Sequence, residues 1–245
     1  MDSEYLQRML ALSAQREAET AAAVALLPCR TAADGDADED RAGACESARA
    51  FDGCAFNRDA AVCPARRLLA VAGEAEMRLS RAGVPVRERD LILAAARGRT
   101  RLRRTDALAR VRLAIEEQAP ALLVLAGPRG VGKTLAACYA LAKVGGRYLT
   151  AYQFARPGLD LDELKGQRLI VVDQLGRENV GASEFFLSSL EELIDARYAN
   201  RSPTILAGNL TTEMFAMRYG GILEDRLRGD GEFVALTGTS MRGAL

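Results

Sequence analysis

Histidine and tryptophan are absent from this chain of 245 residues, and aromatic side chains make up only 5% of it. Without histidine, the Ser-His-Asp and Cys-His arrangements of nucleophilic catalysis are impossible, as are general acid–base steps and metal sites that depend on imidazole. The sequence has five cysteines but no Cys-x-x-Cys pair, so the short ligand spacing of a zinc knuckle is missing as well. These absences exclude several large classes of hydrolase.

The sequence also lacks a net charge and a long apolar run. Its 33 Lys and Arg residues balance 33 Asp and Glu residues, so any surface for nucleic acid must be local. The apolar runs are much shorter than a membrane span, and the N-terminus is acidic and polar. We therefore expect no signal peptide, no membrane anchor and a cytoplasmic location.

A complete G-x-x-x-x-G-K-[ST] pattern is the most informative feature that is present. Its residues are Gly127, Pro128, Arg129, Gly130, Val131, Gly132, Lys133 and Thr134. Glycines allow backbone N–H groups to turn toward the phosphates of a nucleotide, and the start of the next helix favours their negative charge. In this pattern Lys133 reaches the β- and γ-phosphates and Thr134 binds Mg²⁺. An apolar run before it and a helical pattern after it predict a strand–loop–helix unit that binds ATP and magnesium.

The residues after this loop predict an α/β fold. Candidate strands cover 122–126, 147–150, 168–172, 204–207 and 232–236, and helical patterns lie between them, with an amphipathic helix over 183–199. Alternating strands and helices favour a five-stranded parallel sheet with right-handed crossovers. The third strand ends in Asp173, which we expect beside the phosphate loop, ordering Mg²⁺ through its water shell.

The chain before the sheet has a different composition. Residues 1–30 predict a helix whose apolar stripe, Tyr5, Leu6, Met9 and Leu10, can bind a partner protein or dock on this chain. Residues 31–80 contain an acidic linker and a cysteine-bearing accessory region. From about 65 to 118 the pattern is helical, with breaks at Gly83 and Pro85. We assign residues 81–245 to the ATPase domain, which leaves a small helical domain at the N-terminus.

Several runs resemble the AAA+ ATPases of the DnaC-type helicase loaders and the IstB-type transposition helpers. They are the phosphate loop, the segment 171–176 around Asp173, the run 197–210 that contains Pro203 and Asn209, the segment 225–227, and the short turn at 81–85. The resemblance covers roughly residues 80–245. It implies an AAA+ P-loop core, ATP and Mg²⁺ as ligands, and DNA replication as the setting.

The resemblance also implies roles for three further residues. Asn209 corresponds to the polar sensor that aligns the attacking water or the γ-phosphate. Arg226 corresponds to the arginine finger that acts in trans on the nucleotide of a neighbouring subunit, and therefore implies a homo-oligomer. Arg242 corresponds to the second sensor, which contacts the γ-phosphate in cis. A helix cap for Asn209 and surface ion pairs for the two arginines are the alternatives.

Two features depart from the family pattern. The residue after Asp173 is normally acidic in these ATPases, but here it is Gln174, which can orient a water molecule and cannot accept its proton. We therefore expect weak ATP hydrolysis in isolation, with Glu178 as another carboxylate nearby. The sequence ends soon after its last predicted strand, so we expect the C-terminal helical lid to be absent or minimal.

Two residue clusters have more than one interpretation. Cys29, Cys45, Cys54 and Cys63 can form a zinc or iron–sulfur site or remain buried thiols, since the spacing is long for either metal. The basic residues Arg101, Arg103 and Arg104 can neutralise the phosphates of single-stranded DNA or belong to a solvated helix face. Few aromatic residues lie near them to stack on bases.

Together these features predict an AAA+ ATPase that loads a hexameric replicative helicase onto single-stranded DNA. The alternatives are an IstB-like helper that delivers a transposase, and a nucleotide-gated adaptor that hydrolyses little ATP. The N-terminal region is the expected contact with the helicase or transposase.

Overall fold

The computed structural model describes residues 64–178 and 183–240. Its helices are α1 (Pro64–Ala82), α2 (Val86–Ala96), α3 (Asp106–Glu117), α4 (Lys133–Val144), α5 (Ala151–Phe154), α6 (Leu161–Lys165), α7 (Ser183–Ala199) and α8 (Thr212–Arg228). Its strands are β1 (Leu122–Ala126), β2 (Arg147–Thr150), β3 (Ile170–Leu175), β4 (Thr204–Gly208) and β5 (Gly231–Ala235). Residues 64–77 and 90–103 fall in one compact unit, and residues 78–89 and 104–240 fall in another. No helix of the described residues is long and apolar enough to span a membrane.

The second unit is built on a five-stranded sheet in the order β2-β3-β4-β1-β5, with every pair parallel. All residues of β1 and β4 are buried, which explains why their sequences are continuous apolar runs. Because all five strands run in the same direction, their carboxyl ends lie at the same edge of the sheet. This edge receives the phosphate loop after β1, and the predicted α/β fold with a five-stranded parallel sheet is confirmed.

Helices cover both faces of the sheet. Alternate residues of the central strands, among them Val124, Val172 and Leu206, pack with α7 and α8 in the main apolar cluster. On the other face α4 contacts β2, β3 and β4, and α3 packs on α4. Arg110 of α3 donates to Glu232 of β5, which ties this helix layer to the edge strand. The strands therefore form a rigid platform for the loops at their ends.

Threonine residues cap three of the helices of this unit. The hydroxyl of Thr105 accepts from the Leu108 N–H at the start of α3, and that of Thr211 accepts from the Met214 N–H at the start of α8. Thr150 and Gln153 form a reciprocal capping box on α5. Each cap satisfies an N–H group that has no partner within its helix.

The third strand differs from its prediction over 168–172. It begins at Ile170 and continues through Asp173 and Gln174 to Leu175. The β3–β4 register shifts between Val172 and Leu175, so the strand passes Asp173 by means of a local irregularity. The predicted Asp is therefore inside the strand and not at its end.

The Arg-rich helical region has a break that the sequence reasoning missed. After α2, Gly98 adopts φ +77°. The N–H groups of Gly98 and Arg99 donate to the carbonyls of Ala95 and Ala94, which is the hydrogen-bond pattern of a Schellman motif. Glycine takes this left-handed conformation without steric cost, so Gly98 was the available signal for the end of α2.

A buried arginine joins three elements on the α7 side of the sheet. Arg197 is 1% exposed, and its guanidinium donates to the carbonyls of Leu164, Lys165, Gln167 and Pro203 and to the Thr204 hydroxyl. The first two carbonyls belong to the last turn of α6, where the Leu164 carbonyl also accepts from the Gln167 N–H. Burial lowers the pKa of Arg197 to about 10, which leaves the group charged at neutral pH.

Candidate nucleotide site

The phosphate loop is shaped by glycine. Gly127, Gly130 and Gly132 all have positive φ angles, which L side chains rarely adopt. A Cβ on Gly130 would collide with Ser240, and one on Gly132 would lie 3.0 Å from the Thr105 hydroxyl oxygen. The loop is therefore confined on two sides, by the start of α3 and by the segment after β5. Gly132 is also the N-cap of α4, and it has no side chain to cap the first N–H groups.

Lys133 lies inside the curve of this loop. Its side chain is buried, and its ammonium donates to the carbonyls of Gly127 at 2.8 Å and Pro128 at 2.6 Å. Pro128 and Arg129 are exposed, while Val131 is buried and anchors the loop. A buried cation at a helix N-terminus lined by backbone N–H groups is suited to an anion with several oxygens.

Thr134 and Asp173 meet although 39 positions separate them in the chain. The Thr134 hydroxyl donates to Asp173 Oδ2 at 2.7 Å. Tyr148 of β2 donates to the same oxygen at 2.9 Å, and the backbone N–H of Gln174 donates to Oδ1 at 2.7 Å. Asp173 is only 2% exposed, so these donors replace its lost hydration. A hydroxyl and a carboxylate side by side are the oxygen donors that Mg²⁺ prefers, so the residues fit the predicted metal.

Gln174 has φ +63°, an uncommon value for a residue with a side chain. It is half-buried, and its backbone N–H is committed to Asp173. The conformation coincides with the register shift in β3, where the extra length must be accommodated.

Asn209 follows β4 and is exposed. It lines a cavity of ≈ 310 Å³ together with Gly127, Pro128 and Glu213. Because β4 lies between β1 and β3, Asn209 occupies the position between the phosphate loop and the Asp173 strand. A hydrogen bond from Thr211 lowers the pKa of Glu213, so this carboxylate is ionised at neutral pH.

Glu178 is buried, and its carboxylate is saturated with donors. Its Oε1 accepts from Tyr219 at 2.5 Å and from the Arg218 guanidinium at 2.6 Å. Its Oε2 accepts from the Gly176 N–H at 2.8 Å. Burial, and then Glu178, raises the pKa of Tyr219 above its usual range, so its phenol stays a donor. The direction of the Glu178 side chain could not be predicted from the sequence, and in the fold it points toward α8.

Arg226 lies near the end of α8 and interacts with acidic residues of its own chain. Its Nε donates to Asp195 at 2.8 Å, and its Nη1 donates to Asp225. The guanidinium carbon lies 5.5 Å from the centre of the Tyr198 ring. The hydrogen bond with Asp195 raises the pKa of Arg226.

The remaining predicted residues fall into two groups. Arg101, Arg103 and Arg104 are exposed in the segment between α2 and α3. Arg242, the N-terminal apolar stripe and the cysteines Cys29, Cys45, Cys54 and Cys63 lie outside the described residues. Within residues 64–178 and 183–240, no group of three His, Cys, Asp or Glu side chains is arranged to hold a metal ion. Cys138 is a buried free thiol there, and burial raises its pKa.

No protein-family model matches this sequence, and no curated protein matches it. A crystal structure of the DnaC helicase loader is 22% identical with a TM-score of 0.45, over 54% of this chain and 88% of that chain. One of DnaI is 23% identical with a TM-score of 0.45, over 56% of this chain and 82% of that chain.

A crystal structure of a DNA replication initiation factor is 20% identical with a TM-score of 0.42, over 52% of this chain. The match spans 44% of that protein's length. In this chain itself, the phosphate loop follows β1, Asp173 lies on β3, and β4 runs between them. The chain therefore has an α/β core in which the phosphate loop and Asp173 lie at the same edge of a parallel sheet.

Proposed function

We propose that this protein binds ATP with Mg²⁺ at the phosphate loop and hydrolyses it slowly. The observation that supports this most is the meeting of Lys133, Thr134 and Asp173 at the carboxyl edge of the sheet. Lys133 is held within the loop at 2.6–2.8 Å from two of its carbonyls, and Thr134 contacts Asp173 at 2.7 Å. A chance glycine turn would not bring a buried lysine, a hydroxyl and a buried carboxylate together.

Thr134 and Asp173 would hold the metal, Thr134 as a direct ligand and Asp173 through water. When bound there, Mg²⁺ neutralises charge on the β- and γ-phosphate oxygens. Lys133 supplies a second positive charge, and the N-terminus of α4 supplies partial charges. These groups favour a triphosphate over a neutral ligand of the same size.

Slow hydrolysis is proposed because Gln174 follows Asp173 at the position where the family pattern has an acidic residue. Gln174 and Asn209 can orient a water molecule by hydrogen bonds and cannot take its proton. The carboxylate of Glu178 accepts three strong hydrogen bonds and is turned toward α8. Arg226 in trans would add charge stabilisation, which makes turnover depend on assembly.

The direct test is ATP binding by Lys133→Ala, with Lys143→Ala as the matched control. Lys143 is an exposed lysine in the last turn of the same helix. We expect the first variant to lose ATP affinity by roughly 100-fold, since one charge-assisted contact is worth ~1.5–3 kcal/mol, and the second to bind normally. Equal binding by both variants and the unmodified protein would refute the site.

Loading of a hexameric replicative helicase onto single-stranded DNA is the biological role that we propose. The support is the sequence resemblance to helicase loaders over residues 80–245, with residues 1–30 as the partner contact. Residues 31–80 would then form a linker and accessory region, and residues 81–245 the ATPase domain. Purification of the full chain from its native host with ATP present should recover a replicative helicase. Recovery of a transposase would favour the IstB-like alternative.

A nucleotide-gated adaptor is the second candidate, and Gln174 is the observation that favours it. Such a protein would bind ATP and its partner together without appreciable turnover. Steady-state hydrolysis measured with partner and single-stranded DNA present separates the two functions. Stimulation by roughly ten-fold or more supports an ATPase cycle, because a completed site lowers the barrier by ~1.4 kcal/mol or more.

A further inference from the structure

We propose that Tyr148 is a positioning residue for the magnesium-dependent step of nucleotide binding, because its phenol fixes the carboxylate of Asp173. The inference rests on the proposed function, since it concerns the same site. Tyr148 belongs to neither the phosphate loop nor the Asp173 motif, and the sequence reasoning gave it no role.

The register of β2 on β3 brings the two residues together. Tyr148 pairs with Val171 and Thr150 pairs with Asp173, so Tyr148 and Asp173 lie on the same face of neighbouring strands. The Tyr148 hydroxyl is 2.9 Å from Asp173 Oδ2. A tyrosine one position along the strand would point to the other face and could not make this bond.

The bond from Tyr148 fills one of the acceptor positions of the Asp173 carboxylate. An ionised carboxylate offers about four lone-pair positions. On Oδ2 the hydroxyls of Thr134 and Tyr148 occupy both, and on Oδ1 the Gln174 N–H occupies one. The remaining position on Oδ1 is the one left for a water molecule of the metal shell. Without the Tyr148 hydroxyl, the Asp173 carboxylate would accept from only one side chain, that of Thr134, and could rotate out of its position beside the phosphate loop.

Burial strengthens this hydrogen bond. Tyr148 is 5% exposed and Asp173 is 2% exposed, so water is a poor substitute for the phenol. The side chain of Tyr148 is therefore a fixed hydrogen-bond donor to Asp173.

The experiment measures binding of a fluorescent ATP analogue while Mg²⁺ is titrated, and again in excess EDTA. Tyr148→Phe keeps the ring and removes the hydroxyl. We expect it to need about ten-fold more Mg²⁺ for half-maximal binding, since loss of a partner that orients a metal ligand costs roughly 10–100-fold in metal affinity. Binding in EDTA should be unchanged. Tyr139→Phe is the control, because this half-buried tyrosine on α4 lies against Arg112 and Lys143.

A double variant separates positioning from general stability. If Tyr148 acts through Asp173, adding Tyr148→Phe to Asp173→Asn should not shift the Mg²⁺ dependence further. An additional shift in that background would overturn the inference, as would an unchanged Mg²⁺ requirement in the single variant. Melting temperatures and circular dichroism spectra are compared to establish that each variant is folded. If the unmodified protein binds no ATP analogue, it is the proposed function that fails.

Discussion

Replacing the buried Arg197 with lysine should destabilise the second unit strongly. Lysine keeps the positive charge and nearly the same length, but it loses the planar fork that donates to five acceptors. An ammonium has three N–H donors on one atom, so at least two of these five acceptors lose their hydrogen bond to residue 197. The carbonyls of Leu164 and Pro203 keep a backbone donor, from Gln167 and Ile170. The change therefore tests the geometry of the hydrogen bonds more than the charge.

The magnitude follows from the hydrogen bonds that are lost. A hydrogen bond to a charged group contributes ~1.5–3 kcal/mol, so the loss of two costs about 3–6 kcal/mol. We expect about 3 kcal/mol, because several of these carbonyls are only partly buried and water can reach them. The loss is a large fraction of the ~5–15 kcal/mol that stabilises a typical domain.

Urea unfolding followed by circular dichroism measures this loss. With a slope of ~2 kcal/mol per molar urea, the midpoint of Arg197→Lys should fall by ~1.5 M. Since the pKa of Arg197 is about 10, the group is protonated near neutral pH in the folded and unfolded states, so its contribution to the stability of the unmodified protein should be constant from about pH 6 to 8. Arg168→Lys, at an exposed position before β3, is the control and should change the midpoint little. A midpoint for Arg197→Lys within error of the control would refute the reasoning.

Three further outcomes are expected. Gln174→Glu should raise turnover at saturating ATP by ten-fold or more, because a general base contributes roughly 10²–10⁴-fold, and no increase would contradict the role given to Gln174. Arg226→Ala should reduce turnover by about 100-fold or more at unchanged ATP affinity, and mixing it with a phosphate-loop variant should restore turnover only if the arginine acts in trans. Replacing the exposed Arg101, Arg103 and Arg104 with alanine should weaken the binding of single-stranded DNA. The slope of log affinity against log salt concentration should fall in magnitude by about 2, and an unchanged slope would show that the three arginines form an ordinary surface.

The sheet and the phosphate loop could be predicted because their signals are local. The bounds of β1, β2 and α7 agree with the expected ranges, because the apolar or amphipathic pattern of each run is interrupted where the strand or helix ends. The loop pattern predicts the roles of Lys133 and Thr134, because a bound phosphate needs surrounding N–H groups and a cation. Asp173 could be placed for a similar reason, since the carboxyl ends of parallel strands meet at one edge.

The contacts that complete the site are not local, and the sequence did not reveal them. Tyr148 looks like an ordinary core aromatic, and only the β2–β3 register shows that it reaches a carboxylate 25 positions away. The partners of Glu178 lie about 40 positions further along, on α8. The length of β3 was underestimated because a residue at positive φ, Gln174, lets the strand continue where an apolar run ends.

Helix α8 extends from the cavity beside the phosphate loop to the region of Arg226. Glu213, in its first turn, and Arg226, in its last, are about 20 Å apart at ~1.5 Å per residue. Midway along the helix, Arg218 and Tyr219 hold it to the turn after β3 through the carboxylate of Glu178. Phe215, Tyr219 and Leu223 also bury α8 in the main apolar cluster along its length. The helix therefore holds the residues at its two ends at a fixed separation, one end beside the phosphate loop and the other at Arg226.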